Sequence, residues 1–334
     1  MKRVIPAILA VACLMLVAVA SQPLADEARQ ASPVLQRTVL AQDQTHVMVV
    51  GHRGGGFFAP EDTLASIDLG LEVGVDGVEV DVQKTGDGHY ILMHDDTVDR
   101  TTNGTGTVAF MTLAQIRDLE IRWSPPRFVR PFQFPVPPKS KRFQHLKVPT
   151  LEEALDRVRD KAFIMLDLKQ EDAEGVARVV GERGMVGEVI FKVNTVAEGQ
   201  AVRAAAPEAV LMARPISERD LDEMLAALRP PIVHLDEKTF LPEVIDRLHE
   251  AGVLIWMNAL GEDDVTALVA DGDDLAWFRR LDEQLATWWP TKYRPHVRPY
   301  LKLAERGADL IQTDNIARVV AAMGEYHKPK HSPR

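Results

Sequence analysis

The sequence predicts a (β/α)8 TIM barrel on three observations. Short β-branched runs recur from residue 46 to residue 313, amphipathic helical stretches separate them, and polar or ionisable residues gather where the runs end. The strands are predicted over residues 46–51, 77–82, 162–168, 189–193, 210–213, 231–235, 253–257 and 309–313. Between them, helical periodicity predicts helices over 63–73, 150–159, 173–183, 218–228 and 242–251. Eight βα units within 334 residues favour a closed barrel over an open doubly wound sheet, with insertions after the second and seventh strands.

The flanks read differently from the barrel. Lys2 and Arg3 precede an apolar run over residues 4–20 that ends in Ala18-Val19-Ala20, the pattern of a cleaved secretory signal peptide, so export to a periplasmic or extracellular space is expected. Residues 21–45 are polar and without period, a linker. The barrel domain is predicted over 46–324 and a short tail over 325–334. Lys plus Arg number 39 against 49 for Asp plus Glu, a net charge of −10 that argues against nucleic-acid binding. Cys13 is the only cysteine, which excludes an intramolecular disulfide and a zinc site built from thiolates.

In a barrel the C-terminal strand ends converge on one face, where loops assemble the active site. Here those ends carry His52 and Arg53, Glu79 and Asp81, Asp167 and Lys169, Lys192 and Asn194, Arg214, His234 and Asp236, Trp256 and Asn258, and Thr313 and Asp314. Glu79 and Asp81 are two apart on one strand and project to the same face. Adjacent carboxylates repel unless a cation lies between them, and their oxygens suit Mg2+ or Ca2+. Asp167, at the end of the next barrel strand, is the natural third ligand; an ion-pair network with Lys169 and Arg53 is the competing reading. His52 and His94 follow apolar runs and form the candidate acid–base pair, since imidazole titrates nearest neutral pH.

Two segments are predicted to lie over the same face. Within the insertion at about 96–147, residues 122–147 hold seven Lys or Arg and no acid, with Trp123, Phe128, Phe132, Phe134 and Phe143 among prolines. Such a loop on an acidic protein suits peripheral contact with anionic lipid, or else packs its aromatics locally. The second insertion, 261–303, carries Trp277, Trp288, Trp289, Tyr293 and Tyr300. These rings form either a small lid core or a cage for a cationic or sugar headgroup.

Several motifs in fixed order resemble the glycerophosphodiester phosphodiesterase family. They are His52-Arg53-Gly54, Ala59-Pro60-Glu61-Asp62-Thr63, Gly77-Val78-Glu79-Val80-Asp81-Val82, Thr85-Gly86-Asp87-Gly88, His94-Asp95 and Arg100-Thr101-Thr102. The stretches 148–154 and 307–314 resemble later landmarks, so the likeness runs from about residue 49 to 320. The resemblance implies a barrel enzyme that hydrolyses small-molecule phosphodiesters of glycerol to a phosphomonoester and an alcohol, with one divalent cation, Mg2+ or Ca2+. It implies His52 and His94 as general acid and base, Glu79, Asp81 and Asp167 as metal ligands, and Arg53 and Lys169 on the phosphate. Glu61 and Trp256 complete the substrate side: Glu61 orients His52 or a substrate hydroxyl, or else caps the helix near Thr63. The family usually has Asn at Asp62 and Glu at Asp167, and Trp256-Met257-Asn258 is a compressed form of its Trp-Thr-Val-Asn turn. Two alternatives use the same residues: a phospholipase D-like or cyclising lyase acting on lysophospholipid or sphingolipid, and a phosphate-binding barrel without turnover.

Overall fold

The computed structural model describes residues 46–123, 141–236, 238–260 and 298–326. Its strands are β1 (Met48–Gly51), β2 (Gly77–Lys84), β3 (Tyr90–Leu92), β4 (Phe163–Leu168), β5 (Val189–Val193), β6 (Val210–Ala213), β7 (Ile232–Leu235), β8 (Leu254–Ala259) and β9 (Leu310–Thr313). The helices are α1 (Leu64–Val73), α2 (Leu113–Asp118), α3 (Leu151–Val158), α4 (Ala173–Glu182), α5 (Val196–Ala205), α6 (Glu218–Leu228), α7 (Pro242–Glu250), α8 (Arg298–Arg306) and α9 (Ile316–Glu325). All strands except β3 are parallel and pair in chain order, and β1 closes the ring by pairing with both β2 and β9. The result is the eight-stranded parallel barrel the sequence predicts.

Period-two alternation divides each strand between two cores. Met48, Val50, Phe163, Met165, Ile190, Met212, Ile232, Leu254, Trp256 and Leu310 point inward and pack into one cluster that fills the barrel. The alternate residues, such as Val49, Val78, Ile164, Phe191, Leu211, Val233 and Ile255, pack outward under the helices. Gly77 has no side chain because the Phe163 ring takes its place: a Cβ there would lie 2.2 Å from the ring. Truncating Phe163 to Ala costs ~3–5 kcal/mol by the usual core-cavity scale.

Helix starts follow cap chemistry. Thr63 Oγ1 accepts from the Ser66 amide ahead of α1, and Thr150 with Glu153 forms a reciprocal capping box ahead of α3. These caps fix where the chain turns back from the mouth.

Three features differ from expectation. β3 is an unpredicted strand, antiparallel to β2 with Val82 opposite Leu92; a run of three residues is too short to give a period. The second insertion ends earlier than residue 303, because Tyr300, Leu301, Leu303 and Ala304 of α8 are buried in the outer core. In the first insertion Phe143 joins the outer core and Trp123 packs edge-on against it at 5.1 Å, which is the local-packing reading for these two rings. The segments where a signal peptide and a linker are predicted, residues 327–334, Phe128, Phe132, Phe134, Trp277, Trp288, Trp289 and Tyr293 lie outside the described residues. Among the described residues no helix is long and apolar enough to cross a membrane.

Candidate active site

One rung above the inward apolar cluster, the same strand faces turn polar. The inward series continues through His52 after β1, Glu79 and Asp81 on β2, Asp167 on β4, Lys192 on β5, His234 on β7, Asn258 on β8 and Gln312 on β9. All of these line a cavity of about 170 Å3 at the C-terminal mouth. Arg53, His94 and Lys169 reach it from the loops just beyond.

The acids are placed for a cation. Glu79 and Asp81 are almost wholly buried, and each of Glu79, Asp81 and Asp167 offers one oxygen within 4.8 Å of the others. Burial and the neighbouring Asp81 charge push the Glu79 carboxyl up to about 7. Asp81 Oδ2 is buried with no hydrogen-bond partner among the described residues; Arg53 Nε stands 3.2 Å away, near enough for charge attraction but not aligned to donate. Crowded hard oxygens, one of them orphaned, fit a divalent cation. The competing ion pairs are present as well. Lys169 Nζ lies 2.7 Å from Asp81 Oδ1 and 2.9 Å from Asp167 Oδ2, and Lys192 Nζ lies 2.7 Å from the same Asp167 oxygen. Burial works to raise the Asp167 pKa, yet these two ammonium groups outweigh it and hold it low. Both lysines meet Asp167 at Oδ2, so Oδ1 remains for another ligand.

Asp62, where the resemblance leads one to expect Asn, is buried at a φ of +53° and its Oδ1 accepts the Asp81 amide. Burial first, then the Asp81 and Glu79 charges, raise its pKa well above the carboxylate range. Burial and the two neighbouring carboxylates thus work against a third negative charge at this position.

Each histidine is held by a carboxylate. His52 Nδ1 lies 2.8 Å from Asp314 Oδ1, and its Nε2 is 3.9 Å from Glu79. Burial alone would lower the His52 pKa, but the Asp314 hydrogen bond and the Glu79 charge outweigh burial and raise it. Asp314 is reached because Gly56, at a φ of +59°, lets the chain pass against it: a Cβ on Gly56 would lie 2.2 Å from the Asp314 carbonyl oxygen. His94 follows β3, where Met93 N donates to Asp81 O, and its Nδ1 lies 2.8 Å from Asp95 Oδ1. Arg100 clamps Asp95 from the other side and also binds Glu61. With Nδ1 donated to a carboxylate, each imidazole presents Nε2 to the cavity.

Two expected substrate contacts are placed elsewhere. Glu61 does not line the cavity and does not cap α1, a role Thr63 fills; its carboxylate joins Arg53 at 2.7 Å to Arg100, so it orients Arg53. Burial raises the Glu61 pKa, but the Arg100 and Arg53 contacts outweigh it and leave the group ionised. Trp256 is fully buried in the barrel interior, its Nε1 donating to Asn258 Oδ1 and Gln312 Oε1. It supports the cavity floor through those two residues. Asn194 and Asp236, both at strand ends, serve local turns instead, the first donating its amide to Glu198 and the second bonding Thr239. Thr313 faces outward and is wholly buried. Gln312, which donates to Glu79 Oε2, was not singled out in the sequence; the alternation Leu310, Gln312, Asp314 is the signal that finds it.

The eight-stranded barrel gathers the acidic triad and two carboxylate-held histidines in one cavity at its C-terminal mouth. The model of the glycerophosphoryl diester phosphodiesterase family matches residues 52–257, and the chain belongs to that family. It is 38% identical over 118 residues to a glycerophosphodiester phosphodiesterase of Caldanaerobacter subterraneus, covering 35% of this chain and 43% of that one. A Bacillus subtilis protein of the same name is 40% identical over 128 residues, 38% of this chain and 41% of that one. The chain thus spans less than half the length of these two relatives. A crystal structure of glycerophosphodiester phosphodiesterase from Agrobacterium tumefaciens superposes with a TM-score of 0.59 at 26% identity, over 83% of this chain and 99% of that one. A phosphodiesterase from Oleispira antarctica, solved with the product sn-glycerol-3-phosphate, shares the fold with a TM-score of 0.58 at 22% identity, over 84% of this chain and 98% of that one.

Proposed function

We propose that this protein is an exported, metal-dependent phosphodiesterase that hydrolyses glycerophosphodiesters to a glycerol phosphate and an alcohol. The observation that carries the reading is the pairing, in one cavity, of two carboxylate-held histidines with the Glu79, Asp81 and Asp167 cluster in a chain of this family. Export rests on the N-terminal sequence alone.

Glu79, Asp81 and Asp167 would hold a divalent cation, which would supply charge neutralisation for a bound phosphate. Arg53 and Lys169, both pinned by acids, stabilise the equatorial oxygens as negative charge grows on them, which favours the transition state over the ground state. One imidazole Nε2 takes the proton of the attacking oxygen as its bond to phosphorus forms. The other gives its proton to the alcohol oxygen as the second phosphorus–oxygen bond breaks. Asp314 and Asp95 hold the rings so that both transfers occur at Nε2.

The test is a panel of glycerophosphodiesters incubated with Mg2+, with Ca2+ and with chelator, the products read by phosphorus NMR. Glycerol phosphate formed only with metal supports the reading. A cyclic phosphate as the final product supports the lyase alternative instead, and full activity in excess chelator removes the metal from the account.

A further inference from the structure

The geometry points to a second oxyanion subsite on the β5–β7 side of the cavity, where Lys192 and His234 line the cavity and Arg214 ends β6 beside His234, just outside the lining, that recognises glycerophosphodiesters whose alcohol carries an anionic group. It deepens the proposed function and rests on that reading. The phosphate-side machinery described above comes from β1, β2 and β4 with their loops, and these three residues come from β5, β6 and β7, the strands that follow β4 around the barrel.

The placement follows from register. Lys192 pairs with Met212 and Ala213 with Val233, so the rung after Met212 on β6 and after Ile232 on β7 brings Arg214 beside His234. The Arg214 amide continues the ladder by donating to Val193 O at 2.9 Å. Val210 and Met212 point inward, and Arg214 holds the same parity at the strand's end.

None of this cationic wall is fully used. His234 is 4% exposed, lines the cavity, and its Nδ1 has no partner among the described residues. A buried ring nitrogen without a partner loses a hydrogen bond's worth of stability, and among the described residues no protein contact on that side fixes the ring's tautomer. Arg214 is half-buried and its guanidinium has no hydrogen bond or ion pair among the described residues. Lys192 Nζ spends one donor on Asp167 and keeps two. Asn258 adds its amide nitrogen, since its oxygen accepts from Trp256. Burial, helped by the Lys192 and Arg214 charges, pulls the His234 pKa down to about 3, so the ring stays neutral and can offer an N–H. Two cations and neutral donors on one wall match an oxyanion, a carboxylate or a phosphate.

Glycerophosphoserine and glycerophosphoethanolamine differ only in a carboxylate on the alcohol. The wild-type protein is expected to hydrolyse the serine diester with about tenfold higher kcat/KM, the scale of one charge-assisted hydrogen bond. Arg214→Gln is expected to remove most of that ratio and Arg214→Lys to keep part of it, with raised salt eroding it in the wild type. Equal kcat/KM for the two diesters, or a ratio unchanged in Arg214→Gln, overturns the subsite while leaving the proposed function standing. If neither diester is hydrolysed, the proposed function fails. Calorimetric titration with the same two diesters, in wild type and Arg214→Gln, then reads the subsite directly: affinities that do not differ overturn it.

Discussion

Replacing Asp314 by Asn removes the charge that holds His52 and almost none of the side chain's volume. The Asp314 carboxylate accepts from His52 Nδ1 at 2.8 Å in a largely buried setting, and the Phe57 amide to the Asp314 carbonyl oxygen is untouched by the change. A hydrogen bond to a charged group contributes ~1.5–3 kcal/mol, and each ~1.4 kcal/mol is tenfold in rate, so kcat is expected to fall roughly tenfold to a hundredfold. That is less than the loss from His52→Ala, which removes the proton-transfer group itself, worth ~100- to 10,000-fold. KM should change little, because Asp314 sits behind the imidazole and outside the cavity lining. Steady-state kinetics on glycerophosphocholine measure the split, and 15N chemical shifts of the imidazole report which ring nitrogen carries the proton. An unchanged kcat, with the proton still on Nδ1 in Asp314→Asn, would refute the positioning argument.

Three further outcomes follow from the geometry. Asp167→Glu should retain metal binding with altered Mg2+ against Ca2+ preference, because one methylene moves the ligand oxygen and Mg2+ tolerates such shifts poorly, whereas Asp167→Asn should weaken binding; calorimetry that finds all three proteins alike would make Asp167 only the partner of Lys169 and Lys192. His234 has a folded-state pKa of about 3 against ~6.5 unfolded, so the unfolded chain takes the proton first: its contribution is whole above pH ~6.5 and lost as pH falls toward 3, at up to ~1.4 kcal/mol per unit. Urea denaturation at pH 7 and pH 5 should therefore show a shallower pH dependence in His234→Gln, and identical slopes would count against a neutral buried ring. Thr150→Ala, which breaks the capping box of α3, should cost ~1 kcal/mol in the same assay, and an unaltered midpoint would mean the cap is not stabilising.

Strand positions were legible because the inward and outward cores both demand apolar residues at short intervals, so each barrel strand reads as a β-branched run. The acidic pair was legible for a related reason: Glu79 and Asp81 interrupt such a run with charge at spacing two, which burial makes expensive without a partner. His52 and His94 stood out as strand-end imidazoles, but their orienting acids did not. Asp314 is 262 residues from His52, and only barrel closure through β1 and β9 brings the two together. Glu61 was misplaced because its neighbours in sequence are helix-cap residues, while its partners, Arg53 and Arg100, meet only once the β2–β3 hairpin folds over. Trp256 sits on an inward rung below the polar one, so the same parity that exposes Asn258 to the cavity buries the indole. A rung's height in a barrel is set by strand stagger, which no local pattern in the sequence records.

The central claim is that this cavity turns over a glycerophosphodiester with two histidines sharing the proton transfers. Release of glycerol phosphate from glycerophosphocholine, measured side by side for wild type, His52→Ala and His94→Ala with circular dichroism confirming each fold, tests it most directly. The account predicts turnover by the wild type and a loss of at least about a hundredfold in each variant. Wild-type rates retained in either folded variant, or no glycerol phosphate from the wild type with Mg2+ or Ca2+ present, would contradict it.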